Sequence, residues 1–449
     1  MGGADGMRKG YHDLLRRENL ELILLTAKSL LDLGCGAGNL GKALKLKQSC
    51  LVHGIELSRD AVKIAEKNLD RVWCDNLNRF DPLFLKQKYD TLIFADILEH
   101  LINPWDVLKK FCRVLADNGS VIVSLPNVAH PWIIKNLQKD LFRYEPAGIL
   151  DITHLRFFTQ TSIFQMFYSA GLKITNFRPY PSKENPIQYH ITATRAISKH
   201  KDPQTTILIL THNGWEYTNQ CLESIKKNTS SSHKILVVDN GSTDGTIEHL
   251  RKDKTLYHIE NYHNLGFAAG FNTGLMLVDT PYFVLCNSDV IVTRNWLSRL
   301  RHNIDSDKNL LILGPRSNYV SGPQQINNVP YTTSCALEAF AQIQYDTTAI
   351  PISYFPRIVF FCVLLKSIAL KTVGFLDEIF GMGNYEDDDY CLRSLKAGYK
   401  NAFDNSVFVH HHGSVSFKKK PEEYRALLEG NKKKFMAKWN LTNYGGPNG

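Results

Sequence analysis

Acids and histidines at the ends of apolar runs carry most of the chemistry in this chain. Tyr282-Phe-Val-Leu-Cys-Asn287-Ser288-Asp289 runs as a short apolar strand and stops in Asn-Ser-Asp before Val290-Ile291-Val292 resumes. A buried strand that delivers a carboxylate at its carboxyl end is how open α/β sheets build ligand sites, although Asn, Ser and Asp also favour plain turns. Further on come four consecutive acids, Glu386-Asp387-Asp388-Asp389, and a histidine run, His410-His411-His412. Carboxylate with imidazole and no Cys-x-x-Cys nearby suits Mn2+ or Mg2+ better than a structural zinc. In the first half the reactive-looking stretch is of another kind. Asp32-Leu-Gly34-Cys-Gly36-Ala-Gly38 is a glycine turn between a strand and a helix, where backbone can approach a ligand closely.

The elements that must position these residues form two α/β series. The first begins with a helix expected over Leu14–Leu30 and strands at Ser29–Leu33, Leu51–Glu56, Arg71–Cys74, Asp90–Ala95 and Ser120–Asn127. Two closing strands lie between Phe177 and Thr194. A polar, basic, proline-containing stretch follows, so residues 1–197 form one domain, 198–204 a linker and 205–449 a second domain. The second series has strands at Thr206–Thr211 and Lys234–Asp239, with a helix from Tyr217 to Asn228 between them. A basic helix over Glu422–Asn440, with Leu427, Leu428, Phe435 and Trp439 on one face, packs as a closing element.

The first series resembles class I S-adenosylmethionine-dependent methyltransferases. Asp-Leu-Gly-Cys-Gly-Ala-Gly looks like their motif I, and Glu56 ends strand two where an acid accepts from both ribose hydroxyls. Asp75 follows strand three where the family holds the adenine amino group. Asp96-Ile-Leu-Glu99-His100 resembles the Asp/Glu-x-x-Glu-His of the small-molecule branch. The resemblance implies S-adenosylmethionine held by Asp32, Gly34, Gly36, Gly38, Glu56, Asp75 and Asp96. Ile149-Leu-Asp151-Ile-Thr-His154-Leu-Arg156 resembles an insertion of relatives in polysaccharide and lipid-precursor pathways. There His154 or His100 removes a proton from the hydroxyl being methylated, or each is a buried structural histidine. A dinucleotide-binding Gly-x-Gly-x-x-Gly is not met in register, since counted from Gly34 the third site is Asn39 and Gly41 falls two places on, and no Asn-Pro-Pro-Tyr segment of base-methylating relatives follows strand four.

The second series resembles a family 2 glycosyltransferase of GT-A fold. Its motifs, in order, are Thr211-His212-Asn213, Asp239, Asn264-Leu-Gly266, Asn287-Ser288-Asp289 and Glu386-Asp387-Asp388-Asp389, followed by His411-His412-Gly-Ser-Val-Ser416. The resemblance implies a nucleotide-sugar held by Thr211, Asn213, Asp239, Asn264, Gly266, Asn287 and Ser288. The ion falls to Asp289 and His411. Asp387 is implied as general base, with Glu386 steadying the site and Asp388 as the other candidate base. Asn287 departs from the family's Asp-x-Asp and removes one charge from the ion site. Deoxysugar transferases share Asn-x-Asp, so a dTDP-sugar rivals a UDP-sugar as donor.

Bulk composition agrees with soluble enzyme domains. The chain has 449 residues, 43% hydrophobic and 22% charged, with a formal charge of +9. That charge is spread out, apart from Lys418-Lys419-Lys420 and Lys432-Lys433-Lys434, which suits anionic small substrates and argues against nucleic acid. Nine cysteines without Cys-x-x-Cys spacing read as reduced residues of a cytoplasmic protein. Without a signal segment, membrane contact is at most peripheral, at the inner face. The expected whole is a bifunctional, two-domain α/β enzyme of glycan synthesis, with a bacterial surface polysaccharide as the expected product. It pairs metal-dependent inverting sugar transfer to a glycan or lipid-linked glycan with O-methylation of a sugar. The alternative is a glycosyltransferase whose methyltransferase half only binds or docks.

Overall fold

A computed structural model describes residues 17–196, 202–413 and 421–442. The start of the expected first helix, most of the 198–204 linker, Gly-Ser-Val-Ser416 beyond Gly413 and the 418–420 lysine run lie outside the described residues. The chain divides into two compact units, Met1–Ala196 and Ile197–Gly449.

In the first unit, seven strands form one sheet: β1 (Ser29–Leu33), β2 (Leu51–Glu56), β3 (Arg71–Cys74), β4 (Tyr89–Ala95), β5 (Leu115–Pro126), β6 (Leu172–Tyr180) and β7 (Gln188–Arg195). The order is β3-β2-β1-β4-β5-β7-β6, parallel except that β7 runs antiparallel to both β5 and β6. Because β1, β2 and β4 are parallel neighbours, Leu33, Glu56 and Ala95 deliver the segments that follow them to one edge. Strands buried on both faces read as apolar runs, and Leu30, Val52, Ile93 and Ile122 meet helix residues Leu40, Leu44 and Ala65 in the core. The helix expected over Leu14–Leu30 ends at Leu22. Leu24 and Leu25 are exposed, and a turn closes with Ala27 N–H donating to the Leu24 carbonyl, so the later leucines belong to no buried stripe.

Nine strands among the described residues form the sheet of the second unit: β8 (Thr205–Thr211), β9 (His233–Asp239), β10 (Tyr257–Glu260), β11 (Tyr282–Asn287), β12 (Val290–Ile291), β13 (Leu310–Ser317), β14 (Ile352–Tyr354), β15 (Cys362–Lys366) and β16 (Lys400–His411). The order is β10-β9-β8-β11-β15-β13-β16-β12, with β14 beside β16. Its first four strands are parallel and in register, so Thr211 pairs with Asp239, Glu260 with Asp239, and Asn287 with Leu210. One sheet edge therefore collects the polar ends of all four. β15 then reverses direction against β11, and β12 brings Val290 opposite His411 of β16. Ile207, Val237, Val284, Trp296, Leu313 and Leu364 are among the core residues beneath. The closing helix, Pro421–Trp439, packs Phe435 against Phe380 and Tyr385. None of the helices among the described residues is long and apolar enough to cross a membrane.

Candidate active sites

The turn after β1 is built by glycines where the backbone demands them. Gly34, Gly36 and Gly38 all have positive φ. A Cβ on Gly34 would sit 2.7 Å from the Ile97 side chain, so the segment after β4 lies directly over the loop. Glu56 closes the other side: one carboxylate oxygen accepts from Gly36 N–H at 2.9 Å, the other from Leu57 and Ser58 N–H at 2.9 and 2.8 Å. Asp75 N–H donates to the Glu56 carbonyl, which sets Asp75 beside it, half-buried. Asp32 is buried in β1. Asp96 is held at positive φ, and its carboxylate accepts from the Ser124 hydroxyl at 2.6 Å and from the Gln188 amide. The glycine cradle, Glu56 and Asp75 are thus brought together at one edge and fit a nucleoside with two adjacent hydroxyls. Asp96 is committed to β5 and β7 and takes the role of a brace.

The insertion folds back onto the same edge. Leu155 and Arg156 N–H both donate to the Glu99 carbonyl, at 2.8 and 3.0 Å. Thr153 is clamped by Asp151, through its N–H at 3.0 Å and its hydroxyl at 2.8 Å. This places His154 against His100, ring centroids 4.8 Å apart and edge to face. Burial holds the His154 imidazole below its ordinary pKa, against opposing pulls from the Ile149 carbonyl and Asp151. Among the described residues, Glu99, His100 and His154 are the group of three metal-capable side chains whose ligating atoms all lie within 4.8 Å of one another.

In the second unit Asp239 is fully buried at the end of β9. One of its oxygens accepts from Gly241 and Ser242 N–H, at 3.2 and 3.0 Å, and the other has no hydrogen-bond partner. Burial pushes its pKa up to about 6. Asn240 next to it is a hub, donating to Asn264 Oδ1 and the Gly266 carbonyl and accepting from Asn261 and Leu265. Asn264 and Gly266 shape the turn into the helix Phe267–Leu275. At that helix start Phe267 N–H donates to the Gly381 carbonyl at 3.1 Å. Thr211 differs from expectation. Its buried hydroxyl shares a 2.7 Å hydrogen bond with Thr218, so the side chain braces the strand end. Asn213 Oδ1 accepts from Thr243 N–H at 2.8 Å, tying two loops together.

Asn287, Ser288 and Asp289 lie partly exposed at the end of β11. Asp289 Oδ1 is 3.1 Å from His411 Nε2, across the β12–β16 pair. His411 Nδ1 faces the Tyr319 carbonyl at 2.8 Å, and Phe361 stacks on the ring. A carbonyl only accepts, so Nδ1 carries a hydrogen toward Tyr319 while Nε2 faces the Asp289 carboxylate. Burial would raise the Asp289 pKa, but His411's hydrogen bond and charge hold it below its ordinary value. A carboxylate and a buttressed imidazole side by side fit a divalent cation. His410 and His412 point to the other face of the strand, their rings 4.7 Å apart, with His410 bound to Tyr331.

The four acids open the helix Glu386–Lys396 and are all buried, yet they divide into two pairs. Asp388 is ion-paired with Arg357 at 2.7 Å. Asp389 takes Arg393 at 2.8 Å, Lys438 at 2.6 Å and the Trp439 indole N–H at 3.0 Å. Among the described residues no cation pairs with Glu386 or Asp387, and one Glu386 oxygen has no hydrogen-bond partner. Burial, helped by the Asp388 charge, pushes Asp387 up to about 7, and burial with the Asp387 charge pushes Glu386 well above its usual range. Arg357, Tyr319 and Lys438 complete this arrangement from distant parts of the chain. Nothing in their local sequence singles them out.

Residues 7–176 match the family model "Methyltransferase domain", and residues 206–368 match "Glycosyl transferase family 2". The chain therefore carries two transferase domains in succession. The first is a methyltransferase domain and the second a family 2 glycosyltransferase domain. An uncharacterized glycosyltransferase of Haemophilus influenzae is 28% identical over 116 residues, 25% of this chain and 36% of that protein. The ubiquinone biosynthesis O-methyltransferase of Coxiella burnetii is 26% identical over 171 residues, 36% of this chain and 71% of that protein. A mannosyltransferase from Pyrobaculum calidifontis, solved with GDP-Man and Mn2+, is 17% identical with a TM-score of 0.40, covering 55% of this chain and 66% of that one. The chain spans about a third of the length of the H. influenzae relative.

Proposed function

We propose that the chain is a bifunctional glycan-modifying enzyme, one domain transferring a sugar from a nucleotide-sugar and the other methylating a hydroxyl of a sugar. The observation that carries the first activity is the Asp387 carboxyl, raised to about 7 beside a neighbour that burial keeps protonated. A base with that pKa accepts an acceptor's proton near neutrality without being permanently charged. A single such base opposite the leaving group suits an inverting, single-displacement transfer. Asp388 drops out as the rival base because Arg357 occupies it. Asp239, with its unfulfilled buried oxygen, accepts from an N–H of the donor's base, and Asn240 holds the neighbouring loop in place. Asp289 and His411 would hold a divalent ion, which supplies charge neutralisation for a diphosphate leaving group.

In the methyltransferase domain the glycine cradle, Glu56 and Asp75 hold S-adenosylmethionine, whose sulfonium supplies an already activated methyl group. The domain's own task is positioning, together with easing the proton off the acceptor hydroxyl at the Glu99, His100 and His154 cluster. Surface polysaccharide, free or lipid-linked, is the acceptor class this pairing of activities suits, and the interior of the cell is its place.

Thermal stabilisation of the full chain by UDP, dTDP or GDP, each with and without Mn2+, tests the assignment. S-adenosylhomocysteine provides the independent second ligand. A ligand at a hundred times its dissociation constant adds about 2.7 kcal/mol to the unit it binds. A metal-dependent shift with one nucleotide and a separate shift with S-adenosylhomocysteine are expected. A shift with S-adenosylhomocysteine alone would remove the glycosyltransferase activity.

A further inference from the structure

We propose that Glu99, His100 and His154 form a divalent transition-metal site in the methyltransferase domain, distinct from the Asp289–His411 pair, which selects acceptors presenting two adjacent oxygens. The inference rests on the methyltransferase reading above and deepens it. Three features of the cluster point to it. The ligating atoms already lie within 4.8 Å of one another, with Glu99 1% exposed and His154 buried. Each imidazole is oriented by a backbone carbonyl on Nδ1: Thr153 for His100 at 3.2 Å and Ile149 for His154 at 2.9 Å. Those carbonyls fix the hydrogen on Nδ1 and the lone pair on Nε2 in both rings, the arrangement in which metal-ligating histidines are held.

The third feature is how the sequence assembles the group. Glu99 and His100 lie on one short turn, Leu98–His100, while His154 comes from the insertion, docked by two N–H groups on the Glu99 carbonyl. A loop that served only to cover the site would not need to aim a ring at another ring. Two imidazoles and one carboxylate favour Mn2+, Fe2+, Co2+ or Zn2+ over Mg2+, which prefers oxygen ligands. Three protein ligands leave further coordination positions, and a vicinal diol of a sugar fills two of them.

A cation so placed lowers the pKa of a hydroxyl bound to it. The hydroxyl's proton leaves to solvent, its oxygen attacks the methyl carbon, and the carbon–sulfur bond breaks. The electron pair stays on sulfur, which becomes a neutral thioether, and the product is a methyl ether. His100 and His154 then act as ligands, and neither needs to take the proton itself.

The test uses the full chain, stripped of metal and titrated with Co2+, whose visible absorption reports nitrogen and oxygen ligation. In a chain carrying Asp289→Ala and His411→Ala, one equivalent of Co2+ should still bind. Adding His154→Ala or Glu99→Gln should weaken that binding more than ~100-fold, beyond the usual cost of losing an outer-shell partner. The S-adenosylhomocysteine shift should survive in both, as a check on folding. Unchanged Co2+ binding in the variants, or no binding at all in the parent with the S-adenosylhomocysteine shift intact, overturns the site. Should the variants not fold, X-ray absorption of Co2+ bound to the parent decides between two imidazoles and none. Methyl transfer should fall on chelation and return with the ion, and a diol should outpace its monodeoxy analogue. If the wild-type chain gives no S-adenosylhomocysteine shift, the methyltransferase reading fails whatever cobalt does.

Discussion

Glu56 and Asp239 each end the second strand of their unit's sheet and are buried, Glu56 against the turn that follows the first strand and Asp239 against the turn that follows its own. Glu56 accepts from three backbone N–H groups shared between its two oxygens. Asp239 satisfies one oxygen with two N–H groups and leaves the other without a partner, and its pKa climbs to about 6. A buried unsatisfied acceptor costs about 1–3 kcal/mol. The first unit uses its acid to hold a loop, whereas the second keeps an acid with one oxygen unsatisfied, the one that the proposed function gives to the donor's base. The run from Glu386 to Asp389 repeats the contrast within one turn of helix. Among the described residues its first two acids make no ion pair, and its last two are locked to Arg357, Arg393 and Lys438.

That division can be broken most directly at Asp387. Asp387→Asn should lower glycosyl transfer by roughly 10²–10⁴-fold, the usual worth of a general base, in a single-turnover assay. The nucleotide-induced thermal shift should stay as it was, and near-normal turnover would return the role to another acid. The reverse effect is expected at Asp389. Asp389→Ala takes the buried carboxylate away from Arg393, Lys438 and the Trp439 indole and should cost about 3 kcal/mol in denaturant unfolding, with activity per folded molecule little changed. Equal losses of activity in the two variants would erase the distinction between working and supporting acids.

The smallest effect is in pH dependence. Asp239 and Asp387 have folded-state pKa values raised to about 6 and about 7. Below about pH 4 both are protonated in the folded and unfolded chain alike, and the stability they contribute is fully present. As pH rises, the unfolded chain releases its protons first, so stability falls and the loss completes as pH passes 6 and then 7. The stability of the second unit should therefore fall between pH 6 and 7.5 by about 2 kcal/mol. Asp239→Asn should flatten the lower part of that slope.

Much of this was legible in the sequence. β2, β3 and β11 fall where apolar runs end in acids or amides, and the glycine turn and four-acid run announce their own local geometry. The first helix was not legible beyond Leu22, since Leu24 and Leu25 fit the helical spacing but face outward. Nor could the sequence say that Thr211 turns inward to Thr218, or which two of four adjacent acids would be neutralised. The pairing of the acids depends on Arg357 and Lys438, brought in by long-range packing with no signal in their neighbours. His154 was legible as a candidate, but its pairing with His100 required the insertion's docking on Glu99.

Gly266 joins the two ends of the glycosyltransferase site. A Cβ there would lie 2.2 Å from the Gly381 carbonyl oxygen, and the φ of 87° with ψ of −176° is open to glycine alone. Asn272, one turn further, grips Leu376 and Glu378 in the same way. In terms of sequence drift, position 266 permits one residue, and the stretch 376–381 can change in length only if helix 267–275 moves with it. Variation in this domain is then free to explore its loops but not the spacing between helix 267–275 and its acids, so new substrate preferences would arise around that clasp and leave it in place.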